Sequence, residues 1–159
     1  MFGDSLTEGW NEESSLSKSN CKISGNPGFT TSHFIWVIND QVLKYHPDTC
    51  YILGGVNDVG VGIPLARTFK NYKTIIDTLK KTHIVPIVQS TIFTLKSDAD
   101  NNKIDSLNNF LITLCKQEDI RFIDLNKKMS INKKLNKNFS KDLVHLNTLG
   151  YQTWAAIIN

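Results

Sequence analysis

The sequence has no apolar run approaching the roughly 18–20 residues of a membrane-crossing helix, so a spanning helix is excluded. Cysteine is scarce. Cys21, Cys50 and Cys115 are odd in number, scattered and without a CxxC pair, which argues against a disulfide framework and a cysteine zinc site. Three small buried thiols are expected. An excess of one charge is missing too: 18 Lys and Arg against 15 Asp and Glu leave a net charge of +3, too mild to argue for nucleic acid as a partner. No repeat, low-complexity linker or compositional break divides residues 1–159, which read as a single domain. The start carries no charged segment followed by an apolar stretch, so no signal peptide is visible. A cytoplasmic protein is the expectation, with secretion open if an N-terminal segment is absent from the sequence.

What is present is enough for a core, since 40% of the residues are hydrophobic and 21% charged. Helical spacing puts Phe34, Ile38, Val42 and Tyr45 on one face of a helix over 31–45, closed by His46-Pro47. Pro64 suits the first turn of a second helix carrying Phe69, Tyr72, Ile76 and Leu79. Ile104, Leu107, Leu111 and Leu114 mark a third, and Asn147 can cap a last one with Leu149, Trp154 and Ile157. Between them, 50–53, 84–88 and 121–125 read as short strands, with Pro86 placed where it avoids a needed ladder bond. Alternating strands and helices predict an α/β fold with a covered parallel sheet. In such sheets the chemistry gathers beyond the C-terminal strand ends.

Three segments at such places, and a fourth near the end of the chain, carry polar residues. Gly3-Asp4-Ser5-Leu6 puts a serine on a tight strand-to-helix turn, a place where Asp and Ser also serve as plain helix caps. Gly28, just before Thr30-Thr31, can aim a backbone N–H at an anion, or belong to an ordinary Gly/Asn/Pro turn. Gly54-Gly55-Val56-Asn57-Asp58 follows a buried strand, and Asn57 can donate from its amide or close an Asx-turn. Gly60 and Gly62 precede Ile63-Pro64-Leu65, so a dinucleotide-binding fingerprint is incomplete. Asp142 and His145 are three apart, the spacing at which the carboxylate receives Nδ1–H on a turn and leaves the other ring nitrogen as a base.

In this order the four blocks resemble the SGNH/GDSL hydrolase family, from Gly3 to the end of the chain. The resemblance implies a flavodoxin-like three-layer α/β/α sandwich with about five parallel strands. It implies Ser5 as nucleophile, His145 and Asp142 as its triad partners, and Ser5, Gly28 and Asn57 as oxyanion-hole donors. Such chemistry needs no metal and no cofactor. The partner implied is a small-molecule ester (an acylated sugar or a lipid), with acetyl or short-chain acyl groups expected because no long amphipathic lid is evident. A lysophospholipase or thioesterase of the same family, and a silent binding module on the same fold, are the alternatives. One departure stands out: only Met1 and Phe2 precede Gly3 where a full strand is the rule, so the first strand is expected to look truncated, as in a clipped fragment. Lys127, Lys128, Lys133, Lys134, Lys137 and Lys141, with no acid among them up to Asp142, form either a solvated surface or a lure for an anionic substrate. Trp10, Phe93 and Leu95 either line a substrate pocket or only pack. His33, His46 and His83 are given no role.

Overall fold

The structure, a computed structural model, describes residues 1–12 and 20–158. Five strands, β1 (Phe2–Gly3), β2 (Ser24–Gly25), β3 (Thr49–Leu53), β4 (Val85–Gln89) and β5 (Arg121–Ile123), form one parallel sheet in the order β2-β1-β3-β4-β5. The chain winds outward from β1 in both directions, so β1 and β3 flank the point where the winding reverses. That is the doubly wound, flavodoxin-like arrangement, and its ligand crevice lies beyond the C-terminal ends of those two strands.

Side-chain alternation along the strands feeds two separate cores. Cys50 and Ile52 of β3 and Val88 of β4 join one face. There they meet α2 (Thr31–Gln41), α4 (Leu65–Lys81) and most of α5 (Asp98–Gln117) through Phe34, Ile38, Tyr72, Ile76, Leu79, Leu107 and Leu111. Leu53, Ile87 and Ile123 point to the other face, where Leu6 of α1 (Ser5–Glu8), Met129 of α6 (Asn126–Met129) and Tyr151 and Trp154 of α7 (Thr148–Ile158) cover them. The result is an α/β/α sandwich whose strands are apolar on both sides. Local signals start the helices: Ser97 accepts from Asp100 N–H at the start of α5, and the Asn147 side chain accepts from Gly150 N–H at the start of α7. Pro86 lies one residue before the first β4–β5 rung, Ile87–Arg121, so on that side its missing N–H interrupts no pairing. A short α3 (Val56–Gly60) follows β3, and an antiparallel pair, β6 (Ser130–Ile131) and β7 (Lys134–Leu135), follows α6.

Several expectations need correction. The helix over 31–45 ends at Gln41, because Val42 leaves helical geometry at φ −127°, and Leu43–Tyr45 form a separate 3₁₀ turn that leaves Tyr45 half exposed. The strand at 121–125 stops at Ile123, the one at 84–88 is shifted by one residue, and Leu149 is exposed. Cys50 and Cys115 are buried, but Cys21 is exposed. β1 is short and internal: it shares two rungs with β3, whereas β4 shares four. A cavity of about 520 Å³ lies at that N-terminal end of the sheet, against Met1, Phe2, Val42, Cys50 and Tyr51, and thus away from Ser5.

The cap of α1 is unusual because it is fully buried. Asp4 Oδ1 accepts from Leu6 N–H at 3.0 Å, while Oδ2 has no partner among the described residues. Burial raises its carboxyl to about 7; the Leu6 hydrogen bond opposes that, the Asp58 charge adds to it, and the field of His145 opposes it again. The folded protein thus holds this proton more tightly than the unfolded chain, so its contribution to stability falls as pH rises from about 4 to 7 and stays low above that. Asp4→Asn removes that dependence. Denaturant melts at pH 4.5 and pH 8 are expected to show the variant gaining on the wild type by on the order of 2–4 kcal/mol at the higher pH. Parallel pH profiles for the two proteins would contradict this assignment.

Candidate active site

The turn from β1 into α1 is tight because a hydrogen atom is all that fits at Gly3. A Cβ there would stand 2.1 Å from Thr7 Oγ1 and 2.5 Å from the Leu53 carbonyl oxygen. Asp4 then caps α1, so the helix-cap reading holds, and Ser5 opens the helix half-buried at the crevice. Cap and candidate serine are successive residues of one turn.

His145 reaches this serine from the other end of the chain: Ser5 Oγ lies 3.1 Å from His145 Nε2. Its other ring nitrogen, Nδ1, is 2.8 Å from Asp142 Oδ2. The remaining oxygen, Asp142 Oδ1, accepts from the backbone N–H groups of Val144 at 2.6 Å and His145 at 2.8 Å, which closes a turn around the carboxylate. Partial desolvation pushes this carboxyl up, but bonds from the His145 backbone, the His145 ring and the Val144 backbone outweigh it and hold the group down at about 2. An ionised carboxylate only accepts, so the proton sits on Nδ1 and Nε2 is left as the acceptor facing Ser5 Oγ–H. Both partners stay open to water, with side chains 43% and 52% exposed for His145 and Asp142, so small molecules have access.

One local and one long-range backbone bond hold the 142–145 turn over Ser5. Leu95 N–H donates to the Leu143 carbonyl at 2.8 Å, and Lys141 N–H to the His145 carbonyl at 2.8 Å. Tyr151 Oη–H on α7 donates to the Leu6 carbonyl at 2.9 Å, tying the C-terminal helix to the one that carries the serine.

On the opposite side, Asn57 on the first turn of α3 donates from Nδ2 to the Phe29 carbonyl at 3.0 Å, rather than closing an Asx-turn. An amide nitrogen carries two hydrogens, so one is left for another acceptor. Gly28, just before Phe29, has φ +73°, and nothing stands within 4 Å of where a Cβ would be. The loop containing Gly28 is braced at both ends. Asn26 N–H donates to the Gly3 carbonyl at 3.0 Å, and the Asn26 and Gln41 side chains exchange two hydrogen bonds. Beneath it, the buried Asp58 accepts from Thr31 N–H at 2.9 Å, from Thr31 Oγ1 at 2.5 Å and from Thr68 Oγ1 at 3.1 Å. A carboxylate next to the candidate donor Asn57 therefore locks α2 to α3. Sequence reasoning missed Asp58, although its place beside Asn57 was a signal. A hollow of about 150 Å³ adjoins Asn57, walled by Val56, Val59, Ile104 and Val144, with Lys96 and Asp100 among its lining.

The other candidate residues fall elsewhere. Trp10 is buried edge-on against Tyr151 and Trp154, and Phe93 is buried in the same core, so both pack. Leu95 is partly buried against that core, and its backbone serves the 142–145 turn. Lys133 and Lys134 pair with Asp105 and Asp98 of α5, which spends two of the six lysines on surface ion pairs. His46 and His83 sit in exposed turns at positive φ. Among the described residues no group of three or more His, Cys, Asp or Glu is placed to hold a metal ion.

Comparison with known proteins agrees with this geometry. A GDSL-like lipase from Bacteroides thetaiotaomicron superposes with a TM-score of 0.92 at 28% identity, over 99% of this chain and 83% of that one. An acetylxylan esterase from Geobacillus stearothermophilus, 16% identical, shares the fold at a TM-score of 0.71, over 86% of this chain and 68% of that one. The N-acylneuraminate cytidylyltransferase of Streptococcus agalactiae is 28% identical over 92 residues, which take in 57% of this chain and 22% of that protein's length. The model of the GDSL-like Lipase/Acylhydrolase family matches residues 1–153, almost the whole length. With its four blocks on one rim of a flavodoxin-like sheet, the chain belongs to that family.

Proposed function

We propose that this chain is a serine ester hydrolase acting on small acyl esters, with Ser5 as nucleophile, His145 as general base and Asp142 as the group that orients it. The observation carrying this reading is the continuous line Ser5 Oγ, His145 Nε2, His145 Nδ1 and Asp142 Oδ2, with steps of 3.1 and 2.8 Å. A serine hydroxyl is a weak nucleophile until a neighbour takes its proton, and neutral Nε2 is placed to do so as Oγ attacks the ester carbonyl. Asp142, held ionised, stabilises the imidazolium. Negative charge then moves onto the former carbonyl oxygen, where the N–H groups of Ser5 and Gly28 and the second Asn57 amide hydrogen receive it. When the intermediate collapses, the C–O bond to the alcohol breaks and the alcohol leaves with the proton from Nε2. Water repeats the sequence on the acyl-enzyme, which releases the acid and restores Ser5.

The size of the hollow next to Asn57 supports a short acyl group. At about 30 Å³ per water it holds about five such volumes, enough for acetyl to butyryl. The likeness to a protein named for an N-acylated sugar favours acyl groups on sugars over those on lysophospholipids or thioesters. The alignment of Ser5 Oγ with His145 Nε2 favours the hydrolase over a silent module on the same fold.

Aryl esters of rising chain length check the substrate reading: hydrolysis is expected to be fastest from acetyl to butyryl, and a maximum at octanoyl or beyond would favour the lipid or thioester alternative. Ser5→Ala is expected to abolish both turnover and fluorophosphonate labelling; labelling that survives the substitution would refute the nucleophile. Asn57→Ala is expected to lower kcat by about 100- to 1,000-fold, the usual loss for one oxyanion donor, with little change in KM. Activity is expected to fall between about pH 8 and 5 as the base takes up a proton. Because Asp142 is held down at about 2, that loss precedes any protonation of the carboxylate. A flat profile over this range would contradict His145 as base.

A further inference from the structure

The loop that carries Gly28 enters α2 through a capping box of unusual composition. Thr30 is the N-cap, and the residue three positions on is His33 where Glu or Gln is the common choice. His33 Nδ1 lies 3.1 Å from Thr30 N, which can only donate, and 2.9 Å from Thr30 Oγ1. Nδ1 is therefore an unprotonated acceptor, and the ring proton sits on Nε2. The same imidazole stacks on the Phe29 ring, with centroids 4.9 Å apart and planes 30° from parallel.

Phe29 connects this ring to both candidate donors on that side. Its carbonyl accepts from Asn57 Nδ2, its N–H donates to the Asn26 carbonyl at 3.2 Å, and its preceding peptide neighbour is Gly28. A rotation of the 28–30 backbone would turn the Gly28 N–H and displace the oxygen that orients the Asn57 amide. Asp58 fixes the inner side of this junction through Thr31, so the outer side depends on a bond to Thr30 and a stack on Phe29. His33 supplies both.

We propose that His33 is a positioning residue for the oxyanion hole, holding Gly28 and Asn57 in register with Ser5 through the Thr30 backbone and the Phe29 ring. The proposal rests on the esterase reading above. It makes the second histidine contribute to the chemical step without touching substrate.

Steady-state kinetics on wild type, His33→Ala and His33→Gln with a short aryl ester provide the test, with amide hydrogen exchange over 28–33 read on the same proteins. His33→Ala is expected to lower kcat by about tenfold at unchanged KM, since a small displacement of donors is felt in the transition state. Exchange in 28–33 is expected to quicken in that variant. His33→Gln, which restores an acceptor for Thr30 N–H, is expected to recover most of kcat and of the protection. Unchanged kcat in His33→Ala would overturn the proposal while leaving the esterase intact, as would equal impairment of both variants or a loss confined to KM. A wild type without Ser5-dependent turnover would overturn both.

Discussion

The 3.1 Å bond between Ser5 Oγ and His145 Nε2 joins residues 140 positions apart, and no local preference of either segment can form it. Its existence depends on the sheet. Parallel strands deliver all their C-terminal ends to one rim, so a serine after β1, a glycine after β2 and an asparagine after β3 arrive together. The imidazole comes from outside the sheet, on the turn before α7. It is brought into place by α7 packing on the same face as α1, with Trp10 set edge-on against Tyr151 and Trp154 of α7, which stack on each other. The apolar core on that face therefore sets the distance between Ser5 and His145, and Tyr151 secures it by bonding to the Leu6 carbonyl one residue from the serine.

The electrostatics of the rim are split between a wet side and a dry side. Asp142 is open to solvent, satisfied by three donors from its own turn, and stays charged. Asp4 and Asp58, in contrast, are buried. Asp58 is saturated by hydroxyl and amide donors that join α2 to α4, whereas Asp4 keeps one oxygen without a partner among the described residues. Burying a carboxylate in this way is unfavourable at neutral pH, and the compensation is a rigid, capped turn under Ser5.

Much of this was legible in the sequence. Three polar blocks could be read because each lies in a short loop beyond a strand, and Asp142 and His145 because both lie on one turn. Three of the strands were legible as short apolar runs, and the long helices because their apolar side chains repeat every 3.6 residues. What stayed hidden was carried by tertiary contacts. The break after Gln41 comes from the backbone of Val42, whose apolar side chain continues the helical stripe and so disguises the end. Exposure of Cys21, the pairing of Lys133 and Lys134 with α5, and the service of Asp58 and His33 to the loop around Gly28 all depend on segments far apart in sequence or on ring orientation. Trp10 was ambiguous for the same reason, since an aromatic next to a nucleophile packs or binds according to which face of the sheet its turn enters.

The central claim is spatial: three donors from three loops converge on one oxygen bound at Ser5. The most direct measurement is a crystal structure of the protein phosphonylated at Ser5 by a small alkyl fluorophosphonate, whose phosphoryl oxygen stands in for the oxyanion. The account predicts that oxygen within about 3 Å of Ser5 N, Gly28 N and Asn57 Nδ2 together, with His145 still bound to Asp142. A phosphoryl oxygen turned to solvent, with the Asn57 amide engaged only with Phe29, would contradict it.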